Sequence, residues 1–142
     1  MRIFGNGGND MRPTQEKQTL TKPEWLMMEA LWNHPPMFLS EIMESMQNTV
    51  DWKSSSFMTY LKRLTESGYI GYQLVSGNRR YFPLRAREDC VEEESSYILS
   101  KMTDDSARLL LASMVQKTNL SGEDKEQLQK LIAKLSGEGK RA

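Results

Sequence analysis

The stretch SSSFMTYLKRLTESG at residues 54–68, followed by YIGYQLVSGNRRYFPL at 69–84, decides the fold. Measured as rotation from Ser55 at about 100° per residue, Phe57, Tyr60, Leu61 and Leu64 fall between about 140° and 240°, whereas Met58, Thr59, Lys62 and Glu66 gather near 0°. This spacing predicts a helix with one apolar face and one polar face, capped by Ser54 and stopped at Gly68. After Gly68, two runs rich in aromatic and β-branched residues flank Ser76-Gly77-Asn78, which predicts a β-hairpin with a polar tip. Arg79 and Arg80 follow that tip, and strand alternation turns one of the two outward.

Upstream, Leu20-Thr21-Lys22-Pro23-Glu24 carries the signals of a helix start. Thr21 can cap, Pro23 suits the first turn, Glu24 completes a capping box, and Leu20 and Trp25 are spaced as a hydrophobic staple. The helix presents Trp25, Met28 and Trp32 at helical spacing with Leu31 alongside, and His34-Pro35-Pro36 ends it. A Met and Trp stripe can line a ligand pocket, but buried packing is its commoner use. Met37-Phe38-Leu39 can add one small strand, and Ser40 can cap a second helix with Ile42, Met43 and Met46 on its inner face. Helix, short strand, helix, helix and basic hairpin, in that order, make a winged helix-turn-helix. Residues 1–18, rich in glycine and polar types, are expected to lack regular structure.

Downstream of Leu84 the periodicity predicts three amphipathic helices near 87–102, 104–117 and 122–135, the last capped by Ser121. Their apolar stripes are Val91, Ile98 and Met102; Ala107, Leu110, Leu111, Met114 and Val115; and Leu128, Leu131, Ile132 and Leu135. Three thin helices bury such stripes poorly against one another, so a partner surface is implied, although a self-contained subdomain packed on its own head is the alternative.

Net charge is zero over 142 residues, but it is unevenly distributed. Residues 52–85 hold Lys53, Lys62, Arg63, Arg79, Arg80 and Arg85 against Glu66 alone, a net +5, while residues 86–139 carry −4. The middle segment therefore suits a polyanion. One cysteine, Cys90, and one histidine, His34, exclude a disulfide framework and any cysteine-clustered zinc or copper site, so no metal and no cofactor is expected. Cys90 can act as a redox sensor, but a lone thiol on a helix is more often a packing residue. There is no Ser/His/Asp or Cys/His set, and Glu92-Glu93-Glu94 point around a helix instead of converging, so catalysis is not expected. No segment resembles a signal peptide, and no apolar run reaches the roughly 18 residues of a spanning helix. A soluble, cytoplasmic protein without membrane contact is expected.

Residues 20–135 resemble the BlaI/MecI/CopY family of bacterial repressors. The resemblance rests on Leu20-Thr21, Glu24-Trp25, Met28 and Leu31-Trp32; on Asp51-Trp52 before the third helix; on Thr59, Leu61, Arg63-Leu64 and Gly68; and on Tyr81-Phe82-Pro83-Leu84. It implies that the start of the third helix reads an operator through Ser55, Ser56, Met58 and Thr59, with Arg63 one turn on. Relatives usually place a lysine or arginine where Ser55 and Met58 stand, which implies an altered sequence preference here. It also implies that the C-terminal helices form a dimerisation domain. β-Lactam-responsive relatives are cleaved at an Asn-Phe bond in the middle dimerisation helix, and Ser113-Met114 stand at that position. The copper-responsive branch carries a cysteine-rich C-terminus, which this sequence lacks.

The sequence thus predicts a mainly α (α+β) protein. An unstructured extension (1–18) is followed by a winged-helix DNA-binding domain (19–85), a helical dimerisation domain (86–136) and a flexible tail (137–142). The expected function is sequence-specific repression by a homodimer on an inverted-repeat operator in double-stranded DNA. Lys53, Ser55, Ser56, Met58, Thr59, Lys62, Arg63, Arg79 and Arg80 are its expected DNA contacts. Val91, Ile98, Met102, Leu110, Leu111, Met114, Leu128, Leu131, Ile132 and Leu135 are its expected dimer contacts. An inducer or protease that relieves repression is left open. The alternative is a winged-helix adaptor that binds proteins and little DNA. Solvated roles, as helix cap for the serines and as hairpin surface for the wing arginines, are the plain alternatives at the site itself.

Overall fold

The computed structural model describes residues 19–141, with side chains through Lys134; the extension expected at 1–18 and the side chain of Leu135 lie outside the described residues. Helix α1 (Lys22–Asn33) opens on the expected capping box. The Thr21 hydroxyl accepts from the Glu24 N–H at 3.4 Å, and the Glu24 carboxylate accepts from the Thr21 N–H at 2.8 Å. Strand β1 (Met37–Phe38) leads directly into α2 (Leu39–Ser45). Ser40 does not cap α2, because the helix begins one residue before it: Phe38 holds the extended cap position, and Glu41 accepts the Phe38 N–H at 2.8 Å. Ser54 is displaced from the cap of α3 (Ser54–Glu66) in the same way. The Lys53 carbonyl already accepts from Ser56 and Phe57 at 2.9 and 3.3 Å, which draws Ser54 inside the helix.

The far end of α3 closes with a Schellman arrangement. Gly68, at φ 85°, lets its N–H reach Thr65 at 3.2 Å while the Tyr69 N–H reaches Leu64 at 2.9 Å. The chain then reverses through a hairpin of β2 (Ile70–Val75) and β3 (Asn78–Pro83). Its loop contains only Ser76 and Gly77, both at positive φ (52° and 84°), and Asn78 is already paired with Val75. The turn is thus two residues long, not three, because a left-handed pair matches the twist of the flanking strands. That shortening sets the register at Leu74 opposite Arg79 and Tyr72 opposite Tyr81. β3 occupies the centre of an antiparallel sheet in the order β1-β3-β2.

The core lies where α1, α2, α3 and the sheet converge. Met27, Met28 and Leu31 of α1, Ile42 of α2 and Phe57, Leu61 and Leu64 of α3 are buried with Ile70 and Tyr81. Trp25 and Trp32, expected on the buried stripe, lie at its margin, with ring centroids 6.0 Å apart. Their indole N–H groups require acceptors, and the margin supplies them: Glu94 for Trp25 at 3.2 Å and the Arg85 carbonyl for Trp32 at 2.8 Å. Three-helix head and hairpin together form a winged helix-turn-helix.

Three further helices follow, α4 (Arg87–Ser100), α5 (Asp104–Lys117) and α6 (Gly122–Arg141). Thr103 caps α5, and Ser121 caps α6 through a reciprocal pair of bonds with Asp124. α6 continues to Arg141, past the end expected at 135. The described residues fall into two compact units that part between Ile98 and Leu99, so most of α4 belongs to the first. Cys90 is buried there, and Glu93 accepts from the Tyr69 hydroxyl and pairs with Arg85. In the second unit no described side chain from Leu99 to Lys134 is buried.

Leu64, fully buried in the α3 stripe, is the clearest test of this core. Leu64→Ala is expected to lower unfolding free energy in urea by about 2–5 kcal/mol, without changing the secondary structure seen by circular dichroism below the transition.

Candidate nucleic-acid interface

Because the Phe57, Leu61 and Leu64 stripe is committed to the core, the opposite face of α3 turns to solvent. Ser55, Met58, Thr59 and Lys62 are exposed on it, as is Arg63 at its flank; Ser56 is half-buried. The Thr59 hydroxyl donates to the Ser55 carbonyl at 3.0 Å, which fixes its rotamer and leaves oxygen lone pairs facing outward. Lys53 is exposed at the cap position just ahead of this face. Trp52 packs between Phe57 and Tyr60, with centroids 5.1 and 4.9 Å away, and so braces the first two turns. Arg63 lies over the outer side of that cluster, 5.7 Å from the Tyr60 ring.

Between α3 and the wing runs an open groove of about 480 Å³. Met58 forms one wall; Asn78, Arg79 and Tyr81 form another, and Phe38, Leu39 and Ser40 complete it. Arg79 is exposed at its edge, with its guanidinium 4.2 Å from the Tyr72 ring centroid. Interaction with the Tyr81 hydroxyl, and after it with Tyr72, holds the Arg79 pKa above its ordinary value. Arg80 points the other way, over the Phe38 ring at 5.4 Å, with its Nε buried and unpartnered among the described residues. The two arginines alternate: Arg79 lies on the Tyr72 and Tyr81 face, where it projects beyond the core into solvent, and Arg80 lies half-buried on the opposite face.

The basic excess divides between structure and surface. Arg85 is committed to Glu93 and stacks 5.0 Å from Tyr69, and Arg87 reaches Glu29 at 2.8 Å and Asn33 at 3.0 Å. Among the described residues, Lys53, Lys62, Arg63 and Arg79 form no ion pair, and the α4 acids Glu93 and Glu94 are occupied by Arg85, Tyr69 and Trp25. Ser40, Phe38, Asn78 and Tyr72 are site neighbours that sequence reasoning does not single out. The two-residue turn is their signal, since the register it imposes places Tyr72 and Asn78 beside Arg79.

The expected dimer contacts are apolar and largely uncovered. Val91, Leu111, Met114, Leu131 and Ile132 are exposed, and Ile98, Met102, Leu110 and Leu128 are half-buried. Leu109, not among those expected, is the most exposed large apolar side chain among the described residues, at 73%. Ser113 is half-buried and Met114 exposed on α5. No cluster of His, Cys, Asp and Glu among the described residues could hold a metal, and no helix among them is long and apolar enough to cross a membrane.

A winged helix-turn-helix with an exposed basic and hydroxyl-bearing face on its third helix defines the class of this protein. The family model described as penicillinase repressor matches residues 20–134, and the chain belongs to that family. It is 24% identical over 115 residues to the methicillin resistance regulatory protein MecI of Staphylococcus aureus, covering 81% of this chain and 94% of MecI. An uncharacterised 16.5 kDa protein of Latilactobacillus sakei is 22% identical over 113 residues, 80% of this chain and 77% of that one. Among solved structures, the monomeric form of Bacillus licheniformis BlaI in complex with the blaP half-operator matches at TM-score 0.45 and 21% identity, covering 50% of this chain and 87% of that one.

Cys90 stands apart from this site. Burial pushes its thiol up from the ordinary value, which disfavours the thiolate, and the side chain is shielded from solvent. At pH 7.5 a disulfide reagent is expected to label Cys90 roughly tenfold or more slowly in the native protein than in denaturant; equal rates would show that the thiol is accessible.

Proposed function

We propose that the protein is a sequence-specific repressor that binds double-stranded DNA as a homodimer across an inverted repeat. The observation that supports this reading best is the groove shared by Met58, on the exposed face of α3, and Arg79 of the wing. In this reading α3 enters the major groove. Ser55, Ser56 and Thr59 offer hydroxyls to base edges or phosphates, and the exposed Met58 thioether packs against a thymine methyl group. Lys53, Lys62, Arg63 and Arg79 meet the phosphate backbone.

Membership of a repressor family agrees with this assignment. The exposed stripes of α5 and α6 supply the dimer contacts: Leu109, Leu111, Met114, Leu131 and Ile132 are each between 48 and 73% exposed, far more apolar surface than a lone subunit gains by leaving wet. A two-fold pair of heads doubles the phosphate contacts and matches a palindromic site. Residues 19–85 then read DNA and 86–136 join the subunits. Repression is steric, by occupation of the site where polymerase must bind; no bond is made or broken, and the protein works in the cytoplasm where the chromosome is.

Lys62→Ala and Arg79→Ala are each expected to weaken binding to every duplex and to lower the salt slope by about one, while Thr59→Ala shifts the preferred sequence. Anisotropy titrations at several salt concentrations measure this, and unchanged slopes would leave the adaptor reading favoured. In sedimentation experiments the protein is expected to run as a dimer and Leu111→Glu as a folded monomer with weaker DNA binding. A wild-type monomer would contradict the proposed assembly.

A further inference from the structure

We infer that Tyr72 is a positioning residue that holds the Arg79 guanidinium at the edge of the groove, ready for the DNA backbone; this rests on the DNA-binding reading above. The two-residue turn places Arg79 opposite Leu74, and Tyr72, two residues back on the same face, is its diagonal neighbour. At that spacing an arginine reaches the ring, and it lies 4.2 Å from the centroid, nearer than the arginines over Tyr60, Phe38, Tyr69 and Trp32. Tyr72 is in turn held by Tyr81, 5.8 Å away between centroids and itself buried on the core side of the sheet. A chain of contacts thus runs from the core through two rings to one exposed cation.

The arrangement suits phosphate recognition. A ring contact of this kind uses none of the guanidinium's five N–H donors, so donors beyond the one that meets the Tyr81 hydroxyl stay available for phosphate. A free arginine loses rotamer freedom when it binds, whereas one already laid on a ring has lost much of it beforehand. Among the described residues Lys62 has no such support, and Arg80 is turned toward Phe38. Tyr72 is more than one-third exposed, so the ring is not needed to fill the core.

Two measurements test the inference. In the free protein, the Arg79 Nε–H resonance is expected to be shifted upfield by the ring current, to return toward the random-coil position in Tyr72→Leu, and to stay shifted in Tyr72→Phe. With a mixed-sequence duplex as probe, Tyr72→Leu is expected to weaken binding about threefold and Tyr72→Phe to leave it unchanged. The double variant Tyr72→Leu/Arg79→Ala should bind no worse than Arg79→Ala alone. An unshifted Arg79 resonance in the wild type, or wild-type affinity in Tyr72→Leu while Arg79→Ala is weakened, or fully additive losses, would overturn this inference alone. Absence of any duplex binding by the wild type would overturn the DNA-binding reading and, with it, this role for Tyr72.

Discussion

Everything at the site depends on how α3 is clamped. Phe57, Leu61 and Leu64 are locked against Met27, Met28 and Leu31 of α1 and Ile42 of α2, and a helix held along one stripe cannot rotate without exposing it. Burial of each large side chain contributes about 1.5–3 kcal/mol, so a rotation that moved even two of them into water would cost more than any surface contact could return. The outward face of α3 is therefore a consequence of its inward one. Trp52 strengthens the clamp at the end that carries the serines, and the Schellman closure at Gly68 aims the chain into the wing.

The wing obeys a second constraint. A two-residue left-handed turn fixes the register, and the register decides which side chains share a face: Arg79 with Tyr72 and Tyr81, Arg80 with Phe38. A shift of one residue would exchange the faces of the two arginines and take the outward cation away from the groove. Meanwhile α4 binds the head through a separate set of polar contacts, Trp25 with Glu94, Arg87 with Glu29 and Arg85 with Glu93.

Much of this is legible in the amino-acid sequence. The 3.6-residue period of 57–64 separates the two faces of α3, and Thr21 with Glu24 marks the start of α1, because both signals are local and strong. What escapes has physical reasons. Ser40 and Ser54 are good capping residues, but the Glu41 carboxylate, which accepts from the Phe38 N–H, and the Lys53 carbonyl place the caps at Phe38 and Lys53, two positions and one position earlier, and put the serines inside. The hairpin tip carries one residue too many when read from the sequence, because Asn78 is as suited to a turn as to a strand end. Tyr72 and Ser40 are then not read as site neighbours, since that role depends on tertiary neighbours that only the register and the groove reveal. The tryptophans of α1 read as core, yet their N–H groups keep them at the edge, where acceptors are found.

Among the described residues the second unit carries apolar stripes without a buried side chain, and Lys53, Lys62, Arg63 and Arg79 of the head form no ion pair; both features are explained together if two copies join and straddle DNA. The most direct test is to incubate the purified protein with a random-sequence duplex pool, sequence the bound fraction and measure its anisotropy at two salt concentrations. Enrichment of an inverted repeat, bound more weakly at the higher salt, is the predicted result. Retention of no sequence and no salt-dependent binding would contradict the account and leave the winged helix as a protein-binding module.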